Sequence, residues 1–252
     1  MKPRNTSVLS LAARPSNWLG LCTLTFSLLA AGSTMAQTST WDGGGASGLW
    51  SLNTNWATDT LPVAATATTY NFGGNVQNTV SNDLTGVNAT SLSFTNNGLT
   101  NTNAFTLGGN SITLTSQSNA VVTTAIGAGG TSITDTISAA LIGTGIRTFN
   151  IGLGHDLNLT GGFSGAGGSI SKGGRGTLTL SGTASTYTGI TYVDSGTLKL
   201  GANDMLPGTT LEMKRGNNVS DSNPIFDLNG FSDTIGAITF GRSEERRVGK
   251  EC

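Results

Sequence analysis

Between Gln37 and Gly241 the chain has no cysteine, one histidine, one glutamate and three lysines. Each shortage excludes something. Without cysteine no disulfide can staple this stretch, so its stability has to come from a core or from repeated stacking. Without a second histidine, a His/Cys zinc site cannot be assembled. Scarce Glu and Lys remove the residues that sustain exposed helical faces. Charge is low altogether, 11% of 252 residues with a formal net charge of −1, which argues against a basic nucleic-acid reader. Leu, Ile, Val and Phe number only 47 of the 205 residues, a level at which disorder competes with folding. Weak net charge and regular alternation count against disorder. What the stretch does have is 36 Thr and 20 Asn, in a chain with 37 Gly. Thr suits a pleated, half-buried surface, so the expectation is an all-β fold.

Both ends differ in composition from this middle. Lys2, Arg4 and Arg14 precede the apolar run Trp18 to Ala31, and Ser33-Thr34-Met35-Ala36 follows it. That order is a secretory signal peptide over 1–36, with cleavage expected after Ala36; the run is too short for a convincing membrane span. At the other end, 242–252 reads RSEERRVGKEC, seven charged residues in eleven where the preceding 205 hold seventeen. The string is what one frame of a common sequencing adapter encodes, codon for codon. The natural protein is therefore expected to be interrupted near Gly241, with 242–252 an artefactual tail.

The most informative stretch runs from Gly168 to Met213. Gly176-Thr177-Leu178-Thr179-Leu180 is echoed twenty residues later by Gly196-Thr197-Leu198-Lys199-Leu200, and more loosely by Thr209 to Met213. Each reads as a short strand of period 2, with the leucines on one side and Thr or Lys on the other. Thr191-Tyr192-Val193 is another, bounded by Gly189 and Asp194-Ser195-Gly196. Weaker candidates are Ser91–Phe94, Ser111–Leu114, Thr131–Thr134 and Asp156–Leu159 upstream, and Phe226–Gly230 and Ala237–Phe240 downstream. Short strands at roughly twenty-residue intervals with Gly, Asn and Ser corners predict a right-handed parallel β-helix, a solenoid in which no single rung is stable alone. It should occupy 61–241, with the clearest repeat at 168–201. A Trp/Gly-rich cap is expected over 37–60, which holds Trp41, Trp50 and Trp56, because a coil's end would otherwise expose bare core and unpaired edges. The alternative for those tryptophans is a carbohydrate-stacking platform.

GSISKGGRGTLTLSGTASTYTGITYVDSGTLKLGA resembles the autotransporter-associated β-strand repeat. Lys172, the GTLTLSG box at 176–182, Tyr187-Thr188-Gly189 and the GTLKLG box at 196–201 fall in register with that pattern. Ala184 to Thr186 add about one residue, and Gly174-Arg175 stand where the family has small residues. The match covers about 35 residues. Phe226 to Phe240 is similar to the segment that follows such repeats. Thr40 to Trp56 resembles the start of mature surface proteins that carry them, including ones with a PEP-CTERM sorting signal.

Chemistry-bearing constellations are scarce. His155 lies in GLGHDLNL, which is out of register with a calcium roll and is expected to be a plain rung corner. Asp194, Asp204, Asp221, Asp227 and Asp233 are the carboxylates a polysaccharide-cleaving β-helix could use, but turn residues surround them, so corner duty is expected. The glycine strings at 127–130, 165–168 and 173–176 lack the Gly-Lys-Ser/Thr of a phosphate loop. No catalytic, metal or cofactor residue is nominated, and no cofactor is expected. The loop Lys214 to Pro224 is the one place to look for binding. The resemblance implies a non-enzymatic surface or passenger segment, secreted to the bacterial cell surface or outer membrane. It would form a rigid stalk and aid passage across the outer membrane, with its own C-terminal translocator or sorting anchor as partner and no nucleic acid. The alternative is a glycan-binding adhesin or polysaccharide-acting β-helix.

Overall fold

The computed structural model describes residues 37–64, 66–214 and 223–241. The expected signal peptide, the 242–252 tail, Asp221 and most of the 214–224 loop lie outside the described residues. The chain enters through β1 (Gln37–Trp41), passes two single 3-10 turns at Asn53–Asn55 and Ala57–Asp59, and continues into β2 (Thr68–Phe72), β3 (Thr79–Asn82) and the long β4 (Val87–Phe94). Three circuits of three short strands follow. They are β5 (Thr106–Gly109), β6 (Ile112–Leu114) and β7 (Val121–Thr123); β8 (Ile133–Ile137), β9 (Leu141–Ile142) and β10 (Gly145–Asn150); β11 (His155–Leu159), β12 (Phe163–Ser164) and β13 (Gly168–Gly173). In the remaining circuits the middle strand gives way to irregular chain. These are β14 (Thr177–Leu180) with β15 (Thr191–Val193), β16 (Thr197–Leu200) with β17 (Thr210–Lys214), and β18 (Ile225–Asp227) with β19 (Ala237–Gly241).

The ladders between these strands are parallel, each strand bonding to its counterparts one circuit away. β3, β5, β8, β11, β14, β16 and β18 stack into a seven-stranded sheet. β4 serves two stacks: Val87 to Ala89 pair with β6, which leads to β9 and β12, while Leu92 to Phe94 pair with β7, which leads through β10, β13, β15 and β17 to β19. β1 joins through β2. The molecule is an all-β parallel solenoid of about seven turns. Because backbone N–H and C=O groups find their partners in neighbouring circuits, one circuit alone would leave them unsatisfied.

Leu157, Leu178 and Leu198 form one inward column and Leu159, Leu180 and Leu200 the next, all 2% exposed or less. Each such side chain contributes about 1.5–3 kcal/mol. Thr179 and Lys199 point outward, as the alternation requires. Other expectations shift. The loose echo at Thr209 to Met213 is a strand, but it lies in the other sheet, where Leu211 pairs with Thr191 rather than with a leucine of the GTLKL box. The strand expected at Thr131–Thr134 starts at Ile133 and runs to Ile137. That expected at Phe226–Gly230 stops at Asp227, because Asn229 and Gly230 turn with φ of 49° and 82°.

At the first end, Trp41, Trp50 and Trp56 are each at most 1% exposed. Trp56 packs edge-on against both others, with centroids 5.2 Å and 5.4 Å away, and Trp50 stacks on Tyr70 at 4.7 Å. Burial lifts the Tyr70 phenol to about 12. The Trp56 indole donates to the Trp50 carbonyl at 2.9 Å, and Asn55 ties the wrapping loop by accepting from Gly45 N–H and donating to the Ser47 and Leu49 carbonyls. A stacking platform needs an open indole face, which these rings do not offer. Fluorescence of a chain beginning at Gln37 is therefore expected to be blue-shifted and poorly quenched by acrylamide until it unfolds. Ready quenching of the folded protein would show the cluster to be open.

The last described circuit is different. Ile238 and Phe240 occupy the register positions of the inward Leu211 and Met213, yet they are 55% and 74% exposed.

Candidate functional site

Alternation places several ionisable side chains at inward positions, where the neighbouring circuits carry apolar ones. Lys172 shares its column with Val121, Phe149 and Val193, and is fully buried. Its ammonium lies between two stacked corners. It donates to the carbonyls of Gly173 at 2.7 Å and Gly174 at 2.9 Å, and to that of Ser195 in the next circuit at 3.1 Å. Three acceptors match three N–H groups. Burial pulls the lysine's pKa from 10.5 to about 7, opposed by Asp194. Asp194 itself accepts a hydrogen bond from the Ser171 hydroxyl. Gly196 completes the arrangement, since a Cβ there would lie 2.8 Å from the lysine nitrogen and 2.4 Å from the Gly174 carbonyl oxygen, and its φ is +66°. The lysine and the glycine of the repeat's second box are thus two sides of one contact.

His155 is not the corner residue expected. It opens β11 at an inward position and is fully buried, with Nε2 2.7 Å from Asp135 Oδ2 and Nδ1 2.9 Å from the Thr124 carbonyl oxygen. Asp135 is also fully buried, in the column continued by Leu157 and Leu178, and its Oδ1 accepts from Phe105 N–H at 2.7 Å. The Asp135 partner was missed by sequence reasoning. A signal for it existed: Ile133, Asp135 and Ile137 share one parity, so an acid stands in an apolar register. Arg147 follows the same rule, donating from Nε to the Leu114 carbonyl at 2.8 Å, with burial lowering its pKa.

Of the acidic residues singled out from the sequence, Asp194, Asp204 and Asp233 lie between strands and Asp227 ends β18, while Asp221 is outside the described residues. Asp227 Oδ1 accepts from Asn229 N–H at 2.8 Å, Asp233 Oδ2 from Leu206 N–H at 2.9 Å, and Asp204 takes a left-handed φ of 53°. Among the described residues no group of three or more His, Cys, Asp or Glu is placed to hold a metal ion. The outer face of the larger sheet carries a polar ladder, in which Ser171, Tyr192, Glu212 and Thr239 follow one another. Lys214 Nζ sits 3.6 Å over the Tyr192 ring, and burial, Glu212 and Asp194 raise the phenol's pKa.

No protein family, curated protein or solved structure matches the chain. What the buried charged groups do chemically is fasten corners and strands. Their hydrogen-bonding atoms are turned to the protein's own backbone and to one another.

Proposed function

We propose that Gln37–Gly241 is a non-enzymatic, exported segment of the autotransporter-associated repeat type. It would act as a rigid stalk at the bacterial cell surface and aid its own passage across the outer membrane. The observation that carries this reading is the unbroken parallel stack. Each circuit presents in-register strand edges and an apolar column to the next, from the end wrapped around Trp50 to the last circuit. Stacking of circuits outside the membrane would make backsliding unfavourable, so translocation could be biased outward by folding itself. The partner it would take is a translocator or sorting anchor of its own.

Expression in a Gram-negative host, with the chain joined to a translocator barrel, tests the reading. The exported product is expected to begin at Gln37, to be accessible to protease added outside the cell, and to leave a panel of polysaccharides uncleaved. Retention of Trp18 to Ala31 in a cytosolic product would contradict export. Polysaccharide turnover abolished by Asp227→Asn would replace the stalk with the polysaccharide-acting alternative.

A further inference from the structure

We propose that His155 and Asp135 form a protonation-dependent latch that holds the circuits of β5, β8 and β11 in register. The inference rests on the fold and not on export.

The latch ties three circuits through four groups. Phe105 N–H, just before β5, donates to Asp135 on β8; Asp135 accepts from His155 on β11; and His155 reaches back to the Thr124 carbonyl between β7 and β8. A carbonyl oxygen only accepts, so Nδ1 must carry a proton. With an ionised carboxylate opposite it, which only accepts, Nε2 carries one too. The geometry therefore fits an imidazolium facing a carboxylate, an ion pair neutral as a whole and closed off from water. Other charged groups nearby are few. Asp156 follows His155 on the outward face of β11 and favours the protonated ring. β5 and β14 bear no ionisable side chain, β8 bears only Asp135, and Arg175 lies in the corner before β14.

Placement explains why a latch belongs here. The interval between stacked residues is 30 from Thr106 to Thr136, 22 from Ile133 to His155, and 20 from Thr177 to Thr197. β11 is thus laid down where long circuits give way to short ones. A slip of two residues would keep the alternation and set one apolar side chain against another, so Leu and Ile columns discriminate poorly against it. Only one alignment brings both ring nitrogens onto acceptors. Fixing a register is the best-attested use of a buried polar pair.

Burial disfavours the charged ring, but Asp135 and the Thr124 carbonyl outweigh it, and the His155 pKa is raised from 6.5. The folded value exceeds the unfolded one. The latch's stabilisation is therefore complete below about 6.5 and is lost as pH rises through the folded pKa. Lys172 acts in the opposite sense, since its lowered value makes stability rise with pH above about 7. Both contributions are present in the wild type, and only the first should vanish with His155.

Nitrogen-15 NMR of the full chain is expected to show both His155 ring nitrogens protonated at neutral pH, a measurement that needs no variant. Urea unfolding from pH 5 to 10 should show His155→Gln and Asp135→Asn losing their disadvantage against wild type as pH rises. The ratio of unfolding constants should change by up to tenfold per pH unit across the titration. A singly protonated ring at neutral pH, or variant and wild-type curves that stay parallel across the range, would overturn the latch.

Discussion

Leu180→Asp is expected to unfold the circuits around it, whereas Thr179→Asp, one residue earlier, should leave them standing. Leu180 is 2% exposed and lies between Leu159 and Leu200 in a wholly apolar column. Losing the leucine's packing is worth about 2–5 kcal/mol, and an unpaired carboxylate in the same place costs several kcal/mol more. The nearest buried cation by position in the repeat, Lys172, already has its hydrogens engaged. In a quasi-one-dimensional stack such damage starts locally and removes the support of the circuits on either side. Thr179 faces outward between Asn158 and Lys199, where an aspartate meets solvent and a lysine and changes stability by no more than about 1 kcal/mol. Urea unfolding followed by circular dichroism separates the two. Equal effects would mean that the inward and outward faces are reversed or mixed.

Lys172→Ala should cost about 2–5 kcal/mol, since it opens a cavity in the column and takes the ammonium from the half-buried carbonyls of Gly173, Gly174 and Ser195, the first two of which keep Ile151 N–H and the Ser195 hydroxyl as donors. Lys172→Met keeps the stem and removes only the ammonium, so it should lose about half as much, within about 1–3 kcal/mol. The difference between them measures packing, and the loss in the methionine variant measures the corner. Gly196→Ala attacks the same contact from the other side and adds strain at a left-handed φ. Thermal or urea unfolding of the three variants checks the order. A methionine variant as stable as wild type would show that the three carbonyls do not need the lysine.

How far the sequence disclosed this molecule depends on what a five-residue pattern can say. Alternation in GTLTL and GTLKL was enough to place Leu178, Leu180, Leu198 and Leu200 inside, and their twenty-residue spacing was enough to stack them. The same pattern at Thr209 to Met213 named a strand without naming its sheet, because parity carries no information about which side of a coil a strand occupies. Upstream, steps of 27 and 30 residues blurred the period, so the strands were visible but not their partners. The buried charges were legible in principle. Asp135, His155 and Lys172 each stand at the parity of the neighbouring apolar residues, in ITDTI, HDLNL and SISKG. What alternation could not reveal was which backbone carbonyl or side chain would meet them, since, apart from the Gly173 and Gly174 carbonyls beside Lys172, those partners come from other circuits.

Unequal circuits also bear on how such a molecule can change over evolution. The step from Thr106 to Thr136 takes 30 residues and that from Thr177 to Thr197 takes 20, yet the strands stack alike. The surplus leaves at corners, such as that around 124–132, without entering the apolar columns. Doubling the length of a flexible corner adds only about 0.6 kcal/mol of closure entropy. New epitopes could therefore be grafted at the corners, lengthened, or lost while the scaffold keeps its shape. Such a body can diversify its exterior at a rate its interior could not tolerate.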